Sequence, residues 1–185
     1  MRNNLNAAKW TFWILTVLLT MPGLPIGAAA EDSMEKAGDA LQVALPALAY
    51  GMTFVYQDPS GRNQFYKSFF TTMGITYALK FSINKDRPNG GDASFPSGHT
   101  AAAFSGASFI QQRYGWLYGA PAYLAAAFVG WNRVETENHY TEDVVASAII
   151  ATASTYFFTK PYLDKMNVIP FVSKENIGLC VAFEW

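Results

Sequence analysis

Apolar residues along this chain gather into a regular series of stretches at 40–57, 68–79, 100–112, 116–131 and 144–159, each closed off by charges or turn-forming residues. Most are rich in alanine and aromatic rings and too long for strands, so each predicts a helix. Asp58-Pro59-Ser60-Gly61 reads as a turn, Pro121 suits a first helical turn, and Pro161 stops the last helix. No repeat, low-complexity tract or dividing linker interrupts the series, and 185 residues are enough for one domain with its own core. The expected fold is all-α, a compact bundle of about five to six helices.

The tail has a different period. From 177 to 185 (IGLCVAFEW) the residues Ile177, Leu179, Val181, Phe183 and Trp185 fall on one side, as in a strand. Residues 168–172 can pair with it across 173–176 as a short hairpin. An isolated hairpin is marginal in water, so the tail is expected to cover apolar helix surface, with an outer-membrane contact as the competing reading.

The first 30 residues read as an export signal: Arg2 and Lys9 give a positive start, 10–21 a short apolar run, and Ala28-Ala29-Ala30 a small-residue cleavage site. The run is short for a spanning helix, and an uncleaved anchor extended through Pro22-Gly23-Leu24-Pro25 is the alternative. The organisation is then a leader or anchor at 1–30, a helical domain at 31–165 and a tail at 166–185. Either way the domain lies outside the cytoplasm, in the periplasm or on an inner membrane with its site facing the periplasm.

Composition leaves the membrane question open. The chain is 51% apolar and 16% aromatic, yet its mean hydropathy is only +0.08. The uncharged spans 40–57 and 114–132 approach the roughly 20 residues needed to cross a bilayer, whereas 68–79 does not. Gln42, Thr53, Thr71, Thr72, Gln111 and Gln112 dilute the apolar faces. Embedding in, or association with, a membrane is the expectation, against a soluble bundle with a buried apolar centre. A formal net charge of −1 without a basic run makes the chain a poor nucleic-acid binder. The single cysteine, Cys180, rules out an internal disulfide and reads as a small apolar residue.

Three polar segments interrupt the apolar series and carry the candidate chemistry: 80–88 (KFSINKDRP), 96–99 (PSGH) and 133–143 (RVETENHYTED). Lys80 and Arg87 can converge on one anion, Arg as a planar fork and Lys as a point charge; read blandly, the segment is a solvated basic loop end, with Lys85 as an example. Ser97 and Gly98 stand before an alanine-rich run that opens a helix. Free N–H groups and the positive dipole end bind phosphate there, although Ser97 is equally an ordinary N-cap. His99 beside such a pocket is not explained by capping. In the third segment His139 and Asp143 are four apart and share a face if a helix begins near Asn138. The carboxylate would then hold one ring nitrogen and leave the other free to attack phosphorus, with Arg133 as a third cation. Read blandly, the segment is a charged loop with His139 as a cap.

The three segments resemble the three-part signature of the type 2 phosphatidic acid phosphatase superfamily, which includes lipid phosphatases, bacterial nonspecific acid phosphatases and vanadium haloperoxidases. The resemblance runs from Lys80 to Asp143. It implies a phosphatase in which His139 is the nucleophile forming a phosphohistidine, Asp143 orients it and His99 protonates the leaving alkoxide. Lys80, Arg87, Arg133, Ser97 and the Gly98 amide would stabilise the transferring phosphoryl group. Neither metal nor other cofactor is implied. One departure is Asn132, where family members commonly carry serine. The apolar surroundings suit a phosphorylated lipid as substrate. A soluble periplasmic acid phosphatase, a vanadate-dependent haloperoxidase and a non-catalytic binder of anionic lipid head groups are the alternatives.

Overall fold

The computed structural model describes residues 28–162, 166–172 and 177–183. Among them, five helices follow one another: α1 (Ala28–Val55), α2 (Pro59–Ile83), α3 (Gly98–Tyr114), α4 (Trp116–Glu135) and α5 (Thr141–Phe158). The leader or anchor expected at 1–30 lies almost wholly outside the described residues. All five apolar stretches fall on helices, but two helices start well before their apolar runs. In α1 the polar stretch 31–39 is itself helical, built largely of good helix formers. Asp58-Pro59-Ser60-Gly61 is not a free turn but the start of α2. Asp58 caps it, its Oδ1 accepting from the Gly61 N–H at 2.8 Å, and Pro59 takes the first helical position, where its missing N–H costs nothing. Pro121 lies further inside α4 than a first turn.

The chain runs up and down, so the α2–α3 and α4–α5 connections and the early part of α1 meet at one end of the bundle. Helix α3 is central and packs on the other four. It does so with small residues: Ala101, Ala103, Ser105, Gly106, Ala107 and Ser108 are all buried. At Gly106 a Cβ would stand 2.6 Å from the backbone of Leu45 and Pro46 in α1, so the close approach of these two helices depends on glycine. Leu45, Met52, Phe65, Phe109, Ile110 and Val129 fill the core.

Polarity is distributed unusually. Helix α5 buries Asp143, Ser147, Ser154 and Thr155 and turns Val145, Ile149, Tyr156 and Phe157 outward. Helix α2 likewise buries Ser68, Thr72 and Thr76 while Phe70, Ile75 and Phe81 are exposed. This explains why the uncharged runs do not add up to strong apolar segments. The outer faces are apolar, but hydroxyls line the inner ones. No helix among the described residues is long and apolar enough to cross a membrane.

The end opposite the polar loops is closed by a buried ion pair. Arg113 donates to both oxygens of Asp58, at 2.6 and 2.7 Å, and through Nη1 to the Lys160 carbonyl at 2.7 Å. It thereby ties the start of α2, the end of α3 and the exit from α5. Burial alone would raise the Asp58 carboxyl, but the hydrogen bond from Arg113 and the Gly61 N–H hold it below the ordinary range. Beyond the bundle the backbone of β1 (Met166–Val172) pairs antiparallel with β2 (Ile177–Phe183). The side chains of that tail lie outside the described residues. The hairpin expected to pack on helix surface is not supported as part of the fold, which the five helices carry alone.

Candidate active site

The loop between α2 and α3 is built by its own cations. Helix α2 ends on Asn84 in the left-handed region (φ 42°), and Lys80 in its last turn reaches across to donate to the Ala93 carbonyl at 2.5 Å. Ala93 is itself left-handed, φ 55°, a conformation that costs a non-glycine residue energy and that this contact helps hold. Arg87 donates through Nε to the Asp92 carbonyl at 3.0 Å, and its backbone N–H to the Gly91 carbonyl at 2.6 Å. Burial and the nearby Arg87 charge lower the Lys80 pKa, opposed by Asp143.

His139 and Asp143 meet, though not as two residues on one helical face. Helix α5 starts only at Thr141, with Tyr140 as its N-cap, so His139 stands just outside. Asp143 reaches back: its Oδ2 accepts from the Tyr140 N–H at 3.0 Å and lies 3.7 Å from His139 Nδ1. Ser94 closes the gap, its hydroxyl donating a short hydrogen bond to Asp143 Oδ2 and lying 3.4 Å from the same Nδ1. With Nδ1 facing this pair, Nε2 is the free ring nitrogen. His139 is 3% exposed. Burial, then the positive charges of Lys80 and Arg87, push its pKa down to about 4, so the ring is neutral and nucleophilic at neutral pH. Burial would raise the Asp143 carboxyl, but hydrogen bonds from Ser94, Lys85 and the Tyr140 N–H hold it below the ordinary carboxylate range.

Lys85, expected to be solvated, pairs with Asp143 at 3.0 Å and Glu142 at 2.8 Å and lies 4.1 Å above the Tyr140 ring. Ser97 caps α3, its Oγ accepting from the Thr100 N–H and hydroxyl at 3.3 and 3.0 Å. The Ser97 side chain is fully buried, so capping accounts for its hydroxyl contacts; its backbone N–H donates to the Asp143 carbonyl at 3.2 Å. A Cβ at Gly98 would meet nothing within 4 Å, which leaves open space at the helix start.

Arg133 ends α4, and its carbonyl accepts the His139 N–H at 3.0 Å, which fixes the two residues to each other. Asn132 holds the guanidinium: Oδ1 accepts from Nε at 3.2 Å and, more closely, from Nη2. Gly38 of α1 makes room, since a Cβ there would be 2.6 Å from Asn132 Oδ1. Two α1 carboxylates complete the surroundings. Asp39 Oδ1 is 3.1 Å from Arg133 Nη1 and 3.3 Å from His99 Nε2, while Glu35 lies 3.8 Å from Nη1 and accepts from Asn138 Nδ2 at 3.1 Å. Burial, Arg133 and Arg87 lower the His99 pKa, opposed by Asp39.

All eight residues singled out in the sequence therefore occupy the same end of the bundle. Four more belong with them: Ser94, Lys85, Glu35 and Asp39. Ser94 and Lys85 lay beside or within the polar segments. The two acids on α1 carried no local signal. No group of three or more His, Cys, Asp or Glu side chains able to hold a metal occurs among the described residues.

Residues 63–166 match the model of the PAP2 superfamily, and the chain belongs to that superfamily. Its enzyme class is phosphatase. Among its relatives is a lipid A 4'-phosphatase of Helicobacter pylori, 26% identical over 170 residues that cover 82% of this chain and 85% of the relative. A lipid A 1-phosphatase of Porphyromonas gingivalis is 38% identical over 82 residues, 42% of this chain but 18% of that protein. Among solved structures, Aquifex aeolicus LpxE superposes with a TM-score of 0.53 at 19% identity, covering 74% of this chain and 96% of that one, a likeness of fold.

Proposed function

We propose that this protein hydrolyses a phosphate monoester or pyrophosphate of a lipid at a membrane, through a phosphohistidine on His139. The observation that carries the reading is the state of His139: buried, neutral, with Nδ1 turned to Asp143 and Ser94 and with Lys80 and Arg87 close enough to feel electrostatically. In the first step Nε2 attacks phosphorus, the bond to the leaving oxygen breaks, and His99 delivers a proton to that oxygen. In the second, His99 takes a proton from water as its oxygen attacks phosphorus and the P–N bond breaks, releasing phosphate. Lys80, Arg87 and Arg133 would stabilise the transferring charge, since positioned cations supply much of the catalysis in phosphoryl transfer.

The lipid assignment is supported by the relatives named as lipid A phosphatases and by the outward apolar side chains of α2 and α5. Exposed apolar surface on this scale marks an interaction with lipid or protein. An exported location, with the site facing the periplasm, suits such a substrate. Purified protein should be offered lipid phosphates in mixed micelles and small soluble esters side by side. Phosphate release faster from the lipids, lost in His139→Gln, is the expected result. Equal or faster turnover of the soluble esters would replace the lipid reading with that of a nonspecific phosphatase. Binding of lipid phosphate without release would replace catalysis with head-group binding.

A further inference from the structure

The acid–base histidine has a carboxylate partner of its own. Asp39 Oδ1 lies 3.3 Å from His99 Nε2, and the same oxygen is 3.1 Å from Arg133 Nη1. The contact depends on close packing. Gly38, one residue earlier, lets α1 come down onto Asn132 and Arg133, and the Glu35 carbonyl one turn earlier accepts from Arg133 Nη2 at 3.3 Å. Helix α1 is thereby anchored with Asp39 beside His99 Nε2.

From this geometry we infer that Asp39 is the positioning residue of the general acid: it holds the Nε2 proton of His99, fixes the ring, and leaves Nδ1 to exchange a proton with the leaving group. The inference rests on the phosphatase reading above. Without Asp39 the acid would be poorly placed and poorly charged. The charged groups facing His99 are Arg133 at the end of α4, Arg87 in the α2–α3 loop and Asp39 on α1, and its own charge reaches the titratable His139 ahead of α5. Arg133, Arg87 and burial all disfavour a protonated ring; Asp39 alone favours it. An acid must carry its proton when the leaving oxygen departs. When the P–O bond breaks, the Nδ1 proton moves to the leaving oxygen and the ring becomes the neutral Nε2–H form, still donating to Asp39. In the second step Nδ1 recovers a proton from the attacking water. The site thus holds two Asp–His pairs, one orienting a nucleophile and one orienting an acid.

A series of aryl phosphates with increasingly poor leaving groups separates this role from a structural one. Asp39→Asn should leave kcat/KM for 2,4-dinitrophenyl phosphate, which reports the first step alone, within about threefold of wild type, because that leaving group needs no proton. The kcat/KM for phenyl phosphate should fall by roughly 10²-fold, the lower end of general-acid contributions, with the alkaline limb of its pH profile moved to lower pH and part of the loss restored in Asp39→Glu. A uniform loss across the series would overturn the inference in favour of simple support of Arg133, and a gain in rate would overturn it in favour of a carboxylate that blocks the anion site. The wild-type protein offers a further test without a variant. With only two histidines in the chain, ¹⁵N-histidine NMR can read the neutral His99 tautomer, and a proton on Nδ1 in place of Nε2 would contradict the assignment. If wild-type protein released no phosphate from any ester, the phosphatase reading would fail, whereas release with an unaltered Asp39→Asn profile sinks only the role of Asp39.

Discussion

Replacing His139 by glutamine should flatten the acid side of the stability profile. The ordinary imidazole titrates at 6.5, whereas in the folded protein the His139 ring is held down to about 4 by burial and by Lys80 and Arg87. Between those two values the unfolded chain binds a proton that the folded chain refuses. Stability therefore falls as pH drops through the window, and the loss is complete near the folded value. At ~1.36 kcal/mol per pH unit the difference accumulates to about 3 kcal/mol, an upper bound since local relaxation reduces it. Glutamine cannot titrate, so the contribution vanishes. The carboxylates do not imitate this signal, because Asp58 and Asp143 are held below the ordinary range and lose their contribution only at more acid pH. His99 is also lowered, but it is present in both proteins and cancels in the comparison. The assay is denaturant unfolding in detergent at intervals from pH 7.5 to pH 4. Wild type should lose roughly 2 to 3 kcal/mol more than His139→Gln across that range. Parallel profiles would mean that His139 titrates normally, which would remove the basis for a ring kept neutral in the site.

Three other substitutions probe the frame around the site. Asp58→Ala strands the buried Arg113 guanidinium and should cost about 3 to 5 kcal/mol by thermal or chemical denaturation; unchanged stability would contradict the role of this pair as the clamp at the far end. Gly106→Ala puts a Cβ 2.6 Å from the α1 backbone and should destabilise by about 1 to 3 kcal/mol. Gly74→Ala meets nothing within 4 Å and should be neutral or stabilising by about 0.5 to 1 kcal/mol, so equal effects from the two would refute the packing account. Lys85→Met removes one charge-assisted bond from Asp143 and should lower kcat about tenfold, corresponding to ~1.4 kcal/mol, while Lys67→Met on the exposed face of α2 should not; matching losses would argue that Lys85 is only surface charge.

The helices and their order were legible because each apolar run is bounded by charges or breakers, and that pattern survives folding. Their starts were not. The polar beginnings of α1 and α2 have no apolar periodicity, and Asp58-Pro59 reads equally as a turn or as a cap followed by a first helical residue. The membrane question was obscured for a related reason: hydropathy sums both faces of a helix, whereas here the inner faces carry Ser and Thr and the outer faces Phe, Tyr and Ile. In the site, residue type made His99, His139, Asp143 and Arg133 visible. The His139–Asp143 pairing was anticipated, but through a shared helical face; it forms because Asp143 folds back over the N-cap. Lys85 and Ser94 were within reach of sequence reasoning, since both lie beside residues already singled out. Asp39 and Glu35 were not, because they meet Arg133 only through the packing of α1 on α4, nearly 100 positions away. Ser97 shows the reverse: a residue type suited to phosphate whose hydroxyl contacts here are those of a helix cap.

The most direct test of the account is to trap the intermediate. Wild-type protein mixed with a ³²P-labelled lipid phosphate and quenched within milliseconds in alkali should carry a label that is stable to base, labile to acid and located by peptide mapping on His139. The label should be absent from His139→Gln. Phosphate release with no such label, or with the label on another residue, would contradict the assignment of His139 as nucleophile.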